Sequence, residues 1–440
     1  MSLTRREFLL NAGLAGAGVS FASLASADDT TVSAFQPDDW QSVRSQFALS
    51  KKHINFASFF IVSHPKPVRD AIERLRQQID EDPFLTVNNG MFGTDAQNLQ
   101  RPVREAAAGY LGGKPEEVCL TSNTTTGLAL IYHGLSLRAG DEVLTTIHDH
   151  YAHHEAIRLA TNRVGASMRK VALFDHHNTI SADQIIGRLR AAIKANTRVV
   201  GVTWVHSSSG LRLPIRAIAD VIAKINSKRT ENNRVLLVVD GVHGLGAVDE
   251  TVAEMGADFF AAGTHKWLFA PRGTGLIWAK AENWARLTPI IPTFSSPEPY
   301  DAWVRDEPPK GPTKADWITP GGFYAYEHQW AMPAAFHFHQ QIGRKRIAER
   351  IDELNAFIKQ GLAEIPDITV YTPNDPKLSA GIVSFRVKGK KNEGVLKHLL
   401  GQNILASISP YGIAYLRLAA GIMNTPAEVE SALKALRSLK

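Results

Sequence analysis

The chain has 440 residues, 44% of them hydrophobic and 21% charged, and a formal net charge of +6. It is too apolar for a disordered protein and too long for a disulfide-stapled miniprotein, and its one cysteine, Cys119, excludes an internal disulfide and any cysteine-based zinc or iron–sulfur centre. Lys and Arg are scattered, which favours solubility and argues against a nucleic-acid groove.

The chain opens with Thr4-Arg5-Arg6-Glu7-Phe8-Leu9, an apolar stretch from Leu9 to Leu24, and Ala25-Ser26-Ala27. Those are the three parts of an export signal. The stretch is too short and too rich in Gly and Ala for a stable membrane anchor. Arg5-Arg6 with Phe8 has the pattern of a twin-arginine (Tat) signal, read by the machinery that exports folded proteins. An ordinary secretory signal or a chance arginine pair is the alternative. The expectation is a periplasmic protein that begins near Asp28. Export after folding suits a protein that takes up a cofactor beforehand, and an oxidising compartment suits a lone, buried Cys119.

Behind Pro65 and Pro67, the residues Val68, Ala71, Ile72, Leu75 and Ile79 recur at helical spacing and predict an amphipathic helix. Val118 to Leu120 reads as a short strand that empties into Thr121-Ser122-Asn123-Thr124-Thr125-Thr126-Gly127, and Leu128 to Leu135 as a helix. Val199 to Val205, Val235 to Val239 and Phe259 to Ala262 are short apolar runs of the kind found in strands buried on both faces, and Gly273 to Ala279 is a further strand. From about residue 335 the texture changes to a long polar helix, Gln340 to Ile365, a strand, Gly381 to Val387, and a closing helix, Pro426 to Leu439. The fold class is α/β: a large domain with a mainly parallel sheet flanked by helices, and a smaller α+β C-terminal domain. The expected boundaries are 1–27 for the signal, 28–64 for an N-terminal segment packing on the small domain, 65–330 for the large domain and 331–440 for the small one.

In open parallel sheets, ligands bind at the carboxyl ends of the strands. There the run from Val235 delivers Asp240-Gly241-Val242-His243-Gly244, and the run from Phe259 delivers Gly263-Thr264-His265-Lys266-Trp267. The hydroxyls and amides from Ser122 to Gly127 precede a helix, where a phosphate is well held. A carboxylate, a lysine on the neighbouring strand and a phosphate cup together are what pyridoxal phosphate requires. The lysine forms the Schiff base, and the carboxylate keeps the pyridine nitrogen protonated. Blander readings exist for each residue: a solvated Lys266, Asp240 as a helix cap, Thr124 and Thr125 as capping residues, Arg417 as a structural ion pair. His148, His150, His153 and His154 could be read as metal ligands, but no carboxylate partner is dictated by their spacing, and no metal is expected.

The segment Val239 to Gly275, with Asp240-Gly241-Val242-His243 and Gly263-Thr264-His265-Lys266-Trp267-Leu268-Phe269-Ala270-Pro271-Arg272-Gly273-Thr274-Gly275, resembles the class V aminotransferases of pyridoxal-phosphate fold type I. Within them it is similar to the isopenicillin N epimerase-like branch, from about His53 to the C-terminus. The resemblance implies that Lys266 carries the cofactor and shuttles the substrate α-proton. It implies further that Asp240 pairs with the pyridinium nitrogen and His243 lies near the phenolic oxygen. His150 would stack on the ring, although Tyr151 is one step away; Ser207 would sit near the ring oxygen. Thr124, Thr125 and His265 would hold the phosphate, and Arg417, in Tyr415-Leu416-Arg417-Leu418, would grip a substrate α-carboxylate. It also implies a homodimer. Two departures stand out. Pro320-Gly321-Gly322-Phe323 lacks the threonine that reaches the phosphate from a second subunit in many relatives, leaving the Gly322 amide for that contact. Phe59 and Phe60 are bulkier than the small residues usual at the substrate entrance.

The signal, the leader Asn55-Phe56-Ala57-Ser58-Phe59-Phe60-Ile61-Val62-Ser63-His64-Pro65 and Thr319-Pro320-Gly321-Gly322-Phe323 together resemble the periplasmic pyridoxal-phosphate enzymes that mature the siderophore pyoverdine. That implies transamination of the glutamate side chain on the chromophore to the keto acid, or its oxidative decarboxylation to the succinamide form. An entrance lined by Phe59, Phe60 and Trp204 would suit such a substrate. The alternatives are an epimerase or aminotransferase acting on another exported amino acid or peptide, and a protein of this fold that binds an amine without turning it over. A desulfurase is disfavoured, because Cys119 lies in an apolar strand.

Overall fold

The structure, a computed structural model, describes residues 35–175, 177 and 180–439. The stretch expected to be an export signal and the expected start near Asp28 lie outside the described residues.

Strand β1 (Ile54–Asn55) is followed by helix α1 (Lys66–Glu81), with Pro67 in the first turn, where no amide donor is needed, and Val68 and Leu75 at the centre of its buried stripe. Next come β2 (Val118–Thr121), α2 (Thr124–Gly134), β3 (Glu142–Thr146), α3 (Tyr151–Val164), β4 (Ser167–Val171), β5 (Thr197–Thr203), β6 (Leu236–Asp240), β7 (Phe259–Gly263) and β8 (Gly275–Trp278). They form one seven-stranded sheet in the order β2-β8-β7-β6-β5-β3-β4. Strand β8 is antiparallel to both neighbours and the remaining pairs are parallel, so the sheet is mixed but mainly parallel.

Alternate residues of one strand feed two different cores. Leu237, Val239, Phe260 and Ala262 belong to one, together with Val68 and Leu75 of α1. Leu236, Val238, Phe259 and Ala261 belong to the other, with Leu128 and Ile131 of α2 and Ile157 of α3. A strand buried on both sides has no polar face to show, which is why these runs are apolar without alternation.

The second region contains α4 (Met332–Ile342), α5 (Arg344–Ala363), β9 (Ile368–Val370), β10 (Val383–Val387), β11 (Ile404–Leu405), β12 (Ser407–Ile408), β13 (Leu416–Leu418) and α6 (Pro426–Arg437). The one helix expected over Gln340 to Ile365 is two. Gly343 stands between them at φ 92°, in the region that suits glycine, and turns the chain before α5 begins. The strands pair antiparallel in the order β12-β13-β10-β9, while β11 pairs in parallel with β1. Residues from the N-terminal side are thereby tied to this region: Arg44 pairs with Glu428 at 2.6 Å, and Asn424 Nδ2 donates to the Asn55 carbonyl at 3.1 Å.

Strands β2, β3, β5, β6 and β7 all run the same way, so their carboxyl ends open on one edge of the sheet. The second region reaches that edge through β13.

Candidate active site

Asp240 is the last residue of β6 and is buried. The amide of Val242 donates to its Oδ1 at 3.1 Å, which fixes the carboxylate at the start of the turn. Two glycines let that turn lie flat. A Cβ on Gly241 would come within 1.9 Å of the Phe260 ring, and one on Gly244 within 1.9 Å of the Trp204 ring. Burial raises the Asp240 pKa, against the pull of the Val242 amide and Lys266.

Lys266 follows the end of β7. Its turn is held by the amide of Thr264 on the Thr274 carbonyl (3.1 Å) and the amide of Phe269 on the Lys266 carbonyl (3.0 Å). Lys266 Nζ lies 3.2 Å from His243 Nε2. Burial, with Arg417 adding to it and Asp240 opposing, holds this ammonium below the ordinary lysine range. A lysine so placed gives up its proton readily and becomes a nucleophile. Burial also lowers the pKa of His243, His150 and His265, with Lys266 the next cause in each case. These three histidines are therefore neutral hydrogen-bonding groups rather than additional cations.

Helix α2 begins at the same edge. Asn123 caps it by accepting from the Thr126 amide at 2.9 Å, and the Thr124 hydroxyl accepts from the Gly263 amide at 2.7 Å. The helix start is thus tied directly to the end of β7. A Cβ on Gly263 would fall 2.7 Å from His265 and 3.3 Å from Thr124 Oγ1, so the missing side chain is what lets these two approach. Thr125 is exposed beside them.

His150 follows β3 and caps α3, accepting from the Ala152 amide at 3.2 Å. It is half-buried, whereas Tyr151 is 71% exposed. Asp149, which sequence reasoning passed over, braces this corner. Its carboxylate accepts from the Thr145 hydroxyl and from the amides of Thr146 and Thr203, each at 2.8 Å, joining the ends of β3 and β5. Although burial pushes its pKa up, His153, His206 and these hydrogen bonds bring it down to about 2. The other histidines of the cluster go elsewhere: His148 stacks on Phe174, His153 meets the Tyr132 hydroxyl at 2.7 Å and His154 meets the Thr146 carbonyl at 2.7 Å. No three metal-ligating side chains converge among the described residues.

The four-stranded sheet adds Arg417, in the middle of β13 and 6% exposed. Nε donates to Ser407 Oγ (3.1 Å), Nη1 to the Ser207 carbonyl (2.7 Å) and Nη2 to the Ile408 carbonyl (3.1 Å). A guanidinium has five hydrogens, so one remains on each η nitrogen for a further acceptor. Its flat face lies 4.4 Å over the Phe59 ring, and Phe59 is also 5.9 Å from the His243 ring. Among the described residues no carboxylate pairs with Arg417, and burial lowers its pKa to about 10. Ser207 Oγ meets the hydroxyl of Tyr411 at 2.7 Å, and the Tyr411 ring meets His150 edge-on at 6.0 Å. Tyr411 was invisible in the sequence because a single tyrosine in a turn forms no pattern.

One expectation comes out differently. Trp204 lines no entrance: it is 1% exposed, packed against Phe260 and under Gly244. Phe60 is 70% exposed, whereas Phe59 is buried. Gly322 accepts at its carbonyl from the Tyr326 hydroxyl at 3.4 Å.

The residues at the sheet edge fit pyridoxal phosphate. Asp240 offers a buried carboxylate, Lys266 a readily neutralised amine, and the start of α2 a phosphate seat. The buried Nδ1 atoms of His243 and His265 have no partner in the protein, as expected of groups that await a ligand.

The chain was compared with known proteins. The model of the family described as aminotransferase class-V matches residues 86–412. An isopenicillin N epimerase of Amycolatopsis lactamdurans is 26% identical over 419 residues, covering 91% of this chain and 98% of the relative. A probable cysteine desulfurase of Xylella fastidiosa is 25% identical over 427 residues, covering 91% and 96%. Among solved structures, a mutant of C-DES with glycine covalently linked to its PLP cofactor superposes with a TM-score of 0.78 at 21% identity, covering 90% of this chain and 99% of that one.

Proposed function

The chain belongs to the class V aminotransferases and is a pyridoxal-phosphate enzyme acting on an amino acid, and from that premise we propose that its substrate is the glutamate side chain on the chromophore of the siderophore pyoverdine, modified in the periplasm after twin-arginine export. The observation that carries a free α-amino-acid end is Arg417. A buried guanidinium with no protein carboxylate nearby is costly unless a ligand supplies the anion. The twin-arginine pattern, the leader from Asn55 to Pro65 and the segment Thr319 to Phe323 support the finer reading.

When bound, pyridoxal phosphate supplies a carbonyl for the substrate amine and an electron sink for the α-carbon. This chain's residues do the rest. The two free η hydrogens of Arg417 bind the α-carboxylate and orient the α-carbon. Lys266, whose pKa burial holds below the ordinary lysine range, holds the cofactor and then takes and returns the α-proton. His243, with Nε2 3.2 Å from Lys266 Nζ, shares a hydrogen bond with it and keeps the amine aimed. Asp240 sits where it would hold a proton on the ring nitrogen, and Thr124, Thr125 and His265 would hold the phosphate. The cup is read as completed across a homodimer, with Gly322 of the second copy reaching it.

Cys119 does not serve as a sulfur carrier. It is fully buried in β2, where burial pushes its thiol up to about 12. The test is mass spectrometry of the glutamate-bearing siderophore after incubation with purified, PLP-loaded protein. Loss of the amino nitrogen with both carboxyl carbons kept identifies a transaminase. Loss of the α-carboxyl carbon with nitrogen kept identifies the oxidative route. An unchanged siderophore overturns this substrate and favours an epimerase or aminotransferase working on another exported amino acid or peptide, a reading supported by the 26% identity to an isopenicillin N epimerase.

A further inference from the structure

The turn between β12 and β13 is pinned at its base. The amide of Ser409 donates to the Tyr415 carbonyl at 2.8 Å, and the amide of Tyr415 donates to Ser409 Oγ at 2.9 Å. Arg386 Nε and Asn392 Nδ2 hold the Ala414 carbonyl at 3.0 and 3.1 Å. The tip stands in solvent, with Pro410, Gly412 and Ile413 exposed. Tyr411 alone turns inward, to Ser207 Oγ and the edge of His150. Fixing one side chain of an otherwise solvated turn costs rotamer entropy, so the inward position is one the site maintains rather than one the turn imposes.

Ser207 is the shared partner. Its carbonyl accepts from Arg417 Nη1, and its hydroxyl meets the phenol. A serine hydroxyl that donates to the phenol oxygen leaves the phenol hydrogen available for another acceptor. The same hairpin therefore presents a guanidinium with two spare hydrogens and, six residues earlier, a hydroxyl with one to give when Ser207 is the donor. Burial raises the phenol pKa, so Tyr411 remains a neutral donor and does not compete as an anion for Arg417.

We infer that Tyr411 is a substrate-positioning residue whose hydroxyl donates a hydrogen bond to the carboxylate held by Arg417. This rests on the reading of Arg417 as the carboxylate site. Two η hydrogens leave lone pairs on a carboxylate unused, and a third donor from the same hairpin fixes its rotation as well as its position. A hydrogen bond to a charged group contributes enough to change affinity by about tenfold or more.

The test uses PLP-loaded enzyme and maleate, an unreactive dicarboxylate, with the dissociation constant measured by calorimetry. Tyr411→Phe, which keeps the ring, is expected to weaken maleate about tenfold while leaving the cofactor's absorbance spectrum and affinity unchanged. Arg417→Gln is expected to abolish the binding. If Arg417→Gln binds maleate like the parent, the carboxylate reading itself fails. If Arg417→Gln loses maleate but Tyr411→Phe does not, only the Tyr411 inference fails. Equal losses of cofactor and maleate in Tyr411→Phe would make the tyrosine merely structural and also overturn it. Hydrogen exchange on the parent protein gives a second reading: maleate should protect residues 409–415, and binding without protection contradicts the inference.

Discussion

Asp240 and Lys266 stand at the ends of adjacent parallel strands packed on both faces, with turns locked by glycines and backbone hydrogen bonds. Arg417 and Tyr411 stand on a short hairpin of the second sheet, where β12 has two residues and β13 three. On the proposed function the first region holds groups that titrate and react, and it needs a rigid frame to keep a carboxylate and an amine apart yet within reach of each other. The second holds groups that only bind, and these are reached through side chains and a solvated turn. Chemistry and recognition, so assigned, are carried by separate sheets, joined at Ser207 and at Phe59.

That separation can be broken or sharpened by substitution. Lys266→Ala should remove turnover by at least about a thousandfold, read as product formation, because both the cofactor linkage and the proton carrier are lost. Asp240→Asn should still bind cofactor but lower kcat by roughly 10²- to 10³-fold; normal turnover would refute the assigned role. Arg417→Lys should leave kcat nearly intact and raise KM by roughly ten- to a hundredfold, since one ammonium cannot reproduce the end-on pair. A matching fall in kcat would erase the division between the sheets. The subtlest test is a pH profile of PLP capture by the apoprotein. Only the neutral amine captures the aldehyde, and burial holds the Lys266 pKa below the ordinary 10.5. Capture should therefore rise with pH through a midpoint below 10.5. Asp240 opposes that shift and Arg417 adds to it, so Asp240→Asn should move the midpoint lower and Arg417→Gln higher.

The large sheet was legible because its strands are short apolar runs that end abruptly in Asp240 or Gly263, and a buried strand cannot hide such an ending. Strands β3 and β4 were not: Glu142-Val143-Leu144-Thr145-Thr146 has only two apolar residues, and Ser167-Met168-Arg169-Lys170-Val171 is an edge strand with exposed polar residues and no periodic signal. The antiparallel entry of β8 depends on pairing between distant segments, which no local pattern records. Arg417 was found through its family resemblance; Tyr411 and Asp149 were missed because their roles rest on contacts with residues about 200 and 54 positions away. Trp204 was misplaced for a related reason. An aromatic residue at the end of a strand reads the same whether it lines an opening or fills the space under a glycine.

The parallel pairing of Ile54–Asn55 with Ile404–Leu405 bears on how the protein comes to exist. Phe59, just beyond that pair, lies under a guanidinium that the ribosome adds more than 350 residues later. During synthesis, the sheet that holds Asp240 and Lys266 can be complete while residues 54–59 still lack their partner strand. On the proposed roles, a chain interrupted before Leu416 would hold the strands of its cofactor seat and lack its grip on a substrate. Recognition is thus the last competence the growing polypeptide acquires, and the two are ordered in time by the position of one two-residue strand.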